Sequence, residues 1–146
     1  MRALIQRVLE AKVVVEGQTT GEIQQGLLVF LGVGKEDTLE KGQKLLDKIL
    51  KYRIFDDENG KMGWNVSQAN GGILLVSQFT LMAHTQKGLR PDFGSAMPPA
   101  EAKALYEQLV EYARQQFANV QTGIFAADMK VHLVNDGPVT FNLEIE

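Results

Sequence analysis

The segment GLLVFLGVG, Gly26 to Gly34, holds a continuous apolar run between glycines. A run this short, with no polar residue in alternation, is the pattern of a strand buried in a sheet. A second run of the same kind, ILLVSQFTL from Ile73 to Leu81, follows the turn signal Asn70-Gly71-Gly72. Working outward, ALIQRVLEAKVVVEG contains two β-rich runs, and Gly17 and Gly21 mark turns between them and the first buried strand. Asp37 or Thr38 can cap a helix that runs to about Lys51, with Leu39, Leu45, Leu46, Ile49 and Leu50 on one stripe and Gly42 as a weak point.

Further on, FDDENGK reads as a hairpin-type turn, and Met82 to Pro99 reads as a long loop of the kind that often binds ligands. Pro98-Pro99 opens a second helix to about Phe117, with Leu105, Leu109, Tyr112 and Phe117 near helical spacing. The tail reads as two strands. In MKVHLVN the apolar Met129, Val131 and Leu133 alternate with Lys130 and His132, which puts His132 on the polar side, and Val139, Phe141, Leu143 and Ile145 share one face. Between them Asn135-Asp136-Gly137-Pro138 reads as a hairpin loop. These elements describe one α+β domain, residues 1–146, in which a mostly antiparallel, barrel-like sheet carries two main helices on one side. The strong C-terminal β pattern leaves an edge to be covered, which favours a homodimer.

Composition narrows the function. A chain of 146 residues, 45% hydrophobic and 23% charged, suits one ordinary globular domain. There is no cysteine and there are only two histidines, His84 and His132, so disulfides, thiolate catalysis, thiolate-bound zinc and a multi-histidine metal site are all excluded. The N-terminal segment lacks a signal-peptide pattern and no window approaches 18 apolar residues, so the expectation is a cytoplasmic protein with no membrane partner. A net charge of −3 and a pI near 5.4 argue against coating nucleic acid by bulk electrostatics. Two local cationic stretches stand out all the same: Lys41, Lys44, Lys48, Lys51 and Arg53, and Lys87 with Arg90. Each is also what a solvated face looks like.

Ser77-Gln78-Phe79-Thr80 leaves a buried strand and sets two hydroxyls and an amide where backbone N–H groups become free to face an oxyanion. A Ser or Thr nucleophile would need a base, and His84 is the nearest histidine in sequence. The same residues could equally be a strand end that satisfies its own backbone. DDENG lacks the ligand spacing of a calcium loop, and GVGKED fits neither a Walker motif nor the dinucleotide fingerprint. No metal and no cofactor is expected.

Taken together, LIQRV at Leu4–Val8, GLLVFLGV at Gly26–Val33, YRIF at Tyr52–Phe55, VSQFTL at Val76–Leu81, RPDF at Arg90–Phe93, TGIFAADM at Thr122–Met129 and NDGPVTF at Asn135–Phe141 resemble the D-aminoacyl-tRNA deacylases, also called D-tyrosyl-tRNA deacylases. The likeness spans nearly the whole chain, and the Ser-Gln-Phe-Thr and Gly-Pro segments are specific when found together. The resemblance implies hydrolysis of the ester between a D-amino acid, or glycine, and the 3′ end of tRNA, in a homodimer, with no DNA partner. It implies that Gly137-Pro138 has a cis bond, reaches into the partner's site, and rejects L-aminoacyl groups by steric exclusion. It further implies that Phe79 and Thr80 offer backbone N–H groups to the oxyanion, that Ser77 and Gln78 shape the catalytic pocket, and that Phe125 and Ala126 line it. Whether Thr80 acts as nucleophile, or water is assisted by the terminal ribose 2′-hydroxyl, stays open, with the second favoured because no base clearly adjoins Thr80. Two rivals remain: a small hydrolase using Thr80 on a free ester or amide, and a non-catalytic RNA-binding module.

Overall fold

The computed structural model describes residues 1–146. Strand β1 (Arg2–Val15) is the backbone of the sheet because both of its edges are used. On one edge it pairs antiparallel, in series, with β3 (Gly26–Gly32) and then β2 (Gln18–Ile23). On the other edge it pairs antiparallel with β8 (Lys130–Glu144) along almost its whole length. The turn from β1 to β2 is carried by Glu16 and Gly17, both at positive φ, as a tight hairpin turn demands.

From β3 the chain rises through α1 (Leu39–Lys51) and a small hairpin, β4 (Phe55–Asp56) with β5 (Met62–Trp64), and returns as β6 (Gly72–Ser77). From β6 it crosses again through α2 (Pro99–Gln116) to β7 (Val120–Thr122). Each helix is thus a crossover, and the strands it joins are parallel: β3 with β6, and β6 with β7. The sheet, in the order β2-β1-β3-β6-β7 with β8 on β1, is therefore mixed, although antiparallel pairing predominates. It curls until β2 and β7 nearly meet. Gly21 lies inside β2, not in a turn, and a Cβ there would run into the carbonyl of Thr122.

Both faces of the sheet are buried. Toward the helices, Ala3, Ile5, Leu27, Val29, Leu31, Ile73 and Leu75 pack against Leu45, Leu46, Ile49, Leu105 and Leu109. Inside the curl, Val8, Ala11, Val13, Ile23, Leu28, Leu74 and Val76 make a second, smaller core. This explains the unbroken apolar runs of β3 and β6, which have no solvent face to mark. Thr38 caps α1 by accepting the Lys41 N–H, and Pro99 begins α2, where its missing donor costs nothing. Gly42 is not merely a weak point of α1: a Cβ there would collide with Leu109, so it sets how closely the two helices approach.

The tail departs from the sequence expectation. Lys130–Glu144 is one strand, not two strands joined by a hairpin loop. Val8 faces Asn135 and Gln6 faces Thr140, so four residues, Asp136 to Val139, stand opposite the single residue Arg7. The Asn-Asp-Gly-Pro segment is an extruded bulge within a continuous ladder. Across it β8 changes allegiance: Val131 and Leu133 pack on the inner core, whereas Val139 and Leu143 belong to the helix-side core. His132 is exposed, as the alternation predicts.

Candidate active site

The buried run of β6 ends at Ser77, and Gln78 still donates its N–H to the carbonyl of Leu31, 2.9 Å away. The chain then turns through a single 3-10 turn, Phe79–Met82. Its position is fixed from β3 and β1. Gly32 leaves room, since a Cβ there would lie 2.9 Å from Leu81 Cβ, and Arg2 donates to the Leu81 carbonyl at 2.9 Å. The N–H groups of Phe79 and Thr80 open this turn, where no carbonyl of the turn precedes them, and the Gln78 side chain does not cap them. That side chain instead donates to Thr80 Oγ at 2.5 Å.

Beside the turn lies a cavity of about 460 Å³. Ser77, Gln78 and Phe79 form one wall and Phe125, Ala126 and Met129 another. The long loop closes it with Phe93 and Ala96 to Pro98, together with Pro99 at the start of α2. Phe79 is 57% exposed at the mouth, its ring 5.0 Å from that of Phe93. The wall at Phe125 is set by the turn after β7, in which Gly123 donates to Leu75 O at 3.1 Å and Ala126 takes a positive φ of 64°.

Phe125 leans on Tyr106, with ring centroids 5.8 Å apart. Tyr106 is 4% exposed and donates its hydroxyl to the Leu75 carbonyl at 3.1 Å, so α2 and the turn after β7 meet on one carbonyl of β6. Burial raises the Tyr106 phenol well above its ordinary value of 10.0, and the Arg114 charge offsets only part of the rise. From about pH 10 upward the unfolded chain releases a proton that the folded chain keeps. Stability present below that pH is therefore lost as pH rises above it. Tyr106→Phe is expected to cost about 1 kcal/mol at neutral pH and to flatten this alkaline decline. Urea unfolding followed from pH 8 to 11 measures both effects.

The structure separates two residues that sequence left as a possible pair. His84 faces Ser95 Oγ through Nε2 and exchanges backbone hydrogen bonds with Asp92, and it makes no hydrogen bond with Thr80. The Thr80 hydroxyl has only the Gln78 amide as partner, so no side-chain base activates it.

Gly137 and Pro138 do not line this pocket. They stand exposed at the β8 bulge, joined by a cis peptide bond, with Gly137 at φ +135°. Two residues hold this bulge. Asn135 accepts the Val139 N–H at 2.7 Å and donates to Thr140 Oγ at 2.8 Å. Arg7, only 7% exposed, lies opposite the bulge and donates to the Asp136 carbonyl at 3.0 Å and to the Ile54 carbonyl at 2.9 Å. It also stands 3.4 Å from Asp56 and 3.5 Å from the Asp136 carboxylate. Sequence reasoning named neither residue as part of a site. For Arg7 a signal was present, since it continues the inward alternation of Ala3 and Ile5 with a charge.

The model of the D-Tyr-tRNA(Tyr) deacylase family matches residues 4–144 of this chain. The chain belongs to the D-aminoacyl-tRNA deacylase family. Membership makes it a hydrolase of the ester bond of aminoacyl-tRNA. The D-aminoacyl-tRNA deacylase of Acinetobacter baumannii (strain ACICU) is 88% identical over 146 residues, covering 100% of this chain and 99% of that one. Among solved structures, a protein named c-Myc DNA Unwinding Element Binding Protein superposes on this deacylase with a TM-score of 0.96 at 41% identity, over 100% of this chain and 99% of the other. A "probable eukaryotic D-amino acid tRNA deacylase" shares the fold at a TM-score of 0.80 and 16% identity, over 97% and 98% of the two chains. No helix of the deacylase is long and apolar enough to cross a membrane.

Proposed function

We propose that this enzyme clears D-amino acids, and glycine placed on the wrong tRNA, from the 3′ end of tRNA in the cytoplasm while sparing L-aminoacyl-tRNA, and that it does so as a homodimer. The observation that carries the reading is the β8 bulge. It exposes Gly137 and Pro138 away from the chain's own pocket, on a 15-residue strand whose outer edge is unpaired. Such an edge suits a second copy. In the dimer the two residues of one subunit enter the pocket of the other and receive the substrate's α-amino group. A D side chain then points outward and glycine has nothing to exclude, whereas an L side chain meets the bulge.

In the pocket, water attacks the ester carbonyl, the backbone N–H groups of Phe79 and Thr80 stabilise the tetrahedral oxyanion, and the C–O bond to the terminal ribose breaks. The ribose hydroxyl leaves with a proton and the amino acid departs as its carboxylate. Ser77 and Gln78 shape the catalytic wall, and Phe125 and Ala126 line the side facing it. The 2′-hydroxyl of the terminal ribose assists the water, in keeping with a Thr80 hydroxyl that has no base. Neither metal nor cofactor has a part in these steps.

Thr80→Ala is accordingly expected to keep more than a tenth of the wild-type kcat; a fall of roughly 10⁴-fold or more would make the hydroxyl the nucleophile. The reading as a whole is tested by following ester survival on D-tyrosyl-, L-tyrosyl- and glycyl-tRNA mixed with the purified protein. Loss of the D and glycyl esters with the L ester spared is the expected result. Equal loss of all three would reduce Gly137-Pro138 to a structural bulge, and survival of all three would remove the assigned activity.

A further inference from the structure

Four lysines of α1, Lys41, Lys44, Lys48 and Lys51, recur at intervals of three, four and three residues. At 3.6 residues per turn they form one stripe about 15 Å long. The stripe lies opposite the buried face of Gly42, Leu45, Leu46 and Ile49. Lys44, Lys48 and Lys51 are exposed. Little neutralises them. Glu40 lies 3.4 Å from Lys44 in a solvated pair, which is weak. Asp47 accepts the Tyr112 hydroxyl at 2.7 Å, and no carboxylate lies within ion-pair distance of Lys48 or Lys51. This is a cationic line on a protein of net charge −3, whose other helix carries Glu101, Glu107 and Glu111 against Lys103 and Arg114.

The stripe starts beside the active site. Lys41 lines a cavity of about 430 Å³ together with Gly34, Met82 and Ser95, and the same lining holds the carboxylates of Glu36, Asp37, Glu144 and Glu146 beside Arg2 and Lys35. Val33 and Ala96, the chain neighbours of Gly34 and Ser95, line the catalytic pocket, and Met82 ends the turn that begins at Phe79. A substrate whose 3′ end occupies the pocket and that leaves it on the Lys41 side carries its polyanion along this stripe, and a duplex backbone presents a phosphate about every 3 Å of its axis on each strand.

We propose that the α1 lysine stripe is the docking track for the phosphate backbone of the acceptor stem of the aminoacyl-tRNA, an inference that rests on the site assigned above. The track reads charge, not sequence, and raises the local concentration of substrate without touching the ester.

The test combines Lys44→Gln, Lys48→Gln and Lys51→Gln in one protein and compares two substrates, D-tyrosyl-tRNA and D-tyrosyl-adenosine, which ends before the stripe. On the tRNA, KM is expected to rise with kcat retained. The slope of log(kcat/KM) against log[salt] should become shallower by about 2 to 3, so that the roughly 40-fold extra loss three contacts produce between 50 and 200 mM salt disappears. On the adenosine ester, the triple variant and wild type should run alike. Lys103→Gln, a charge removed elsewhere, should leave the salt slope unchanged. An unaltered slope on tRNA in the triple variant, or an equal loss on both substrates, would overturn the docking track while leaving the site assignment in place. Wild-type protein that hydrolysed neither ester would refute that assignment and the track with it.

Discussion

Gly137→Val is expected to lower the rate of D-tyrosyl-tRNA hydrolysis by about a hundredfold in a protein that still folds. The residue sits at φ +135°, where L side chains are strained and a β-branched one is worst placed. A Cβ built there would lie 2.7 Å from Val139 Cγ2, 3.1 Å from the Val139 nitrogen and 3.2 Å from Arg7 Nη2. Neither direction yields, because Val139 is buried and Arg7 is held by two carbonyls. The bulge must therefore shift outward. Its strain costs roughly 1–3 kcal/mol, which a domain of this size can survive. A shift of about 1 Å in a group that positions substrate is worth roughly 10²-fold in rate. Single-turnover ester hydrolysis, with thermal unfolding as the check on folding, measures the two effects apart. A wild-type rate with wild-type sparing of L-tyrosyl-tRNA would remove the bulge from the proposed mechanism.

The second large effect is expected at Arg7. Its Nε and Nη1 groups donate to the carbonyls of Asp136 and Ile54, tying the bulge on β8 to the start of the β4–β5 hairpin. Hydrogen bonds from a charged donor contribute about 1.5–3 kcal/mol each. Arg7→Ala, which also leaves both carbonyls without this partner, is therefore expected to cost about 3 kcal/mol or more in urea unfolding. Deacylation should fall with it even where the variant is fully folded, since the bulge loses its underside. Arg7→Lys keeps the charge but has no planar fork to serve two carbonyls from one position, and it should recover part of the stability with little of the activity. If Arg7→Lys restored both equally, charge alone would be the function of the residue.

Much of this molecule is legible locally. The capping hydroxyl of Thr38, the proline at Pro99 and the apolar runs from Leu27 and Ile73 place their elements to within a residue or two, because caps, first-turn prolines and buried runs act through neighbours in the chain. Ser77–Phe79 and Phe125-Ala126, singled out by family resemblance more than by chemistry, line one pocket, whereas Gly137-Pro138 stands outside it; the role proposed for each rests on backbone geometry that no side-chain pattern announces.

Other features needed the fold. A buried strand has the same apolar run whether its neighbour is parallel or antiparallel, so β6 disclosed its place between β3 and β7 only when the helical crossovers were seen. Glycine and proline mark both a hairpin and a bulge, and only the pairing of both halves of β8 with β1 decides for the bulge. His84 is four residues from Thr80 in sequence, yet the loop turns it to Ser95, and Arg7 meets Asp136 across most of the chain. The sequence by itself determined the two helices and the buried strands β3 and β6, because caps, first-turn prolines and apolar runs follow from energies acting over a few residues. Register, strand direction and the company each site residue keeps were decided by the tertiary structure, because they come from packing and hydrogen bonds between segments far apart in the chain.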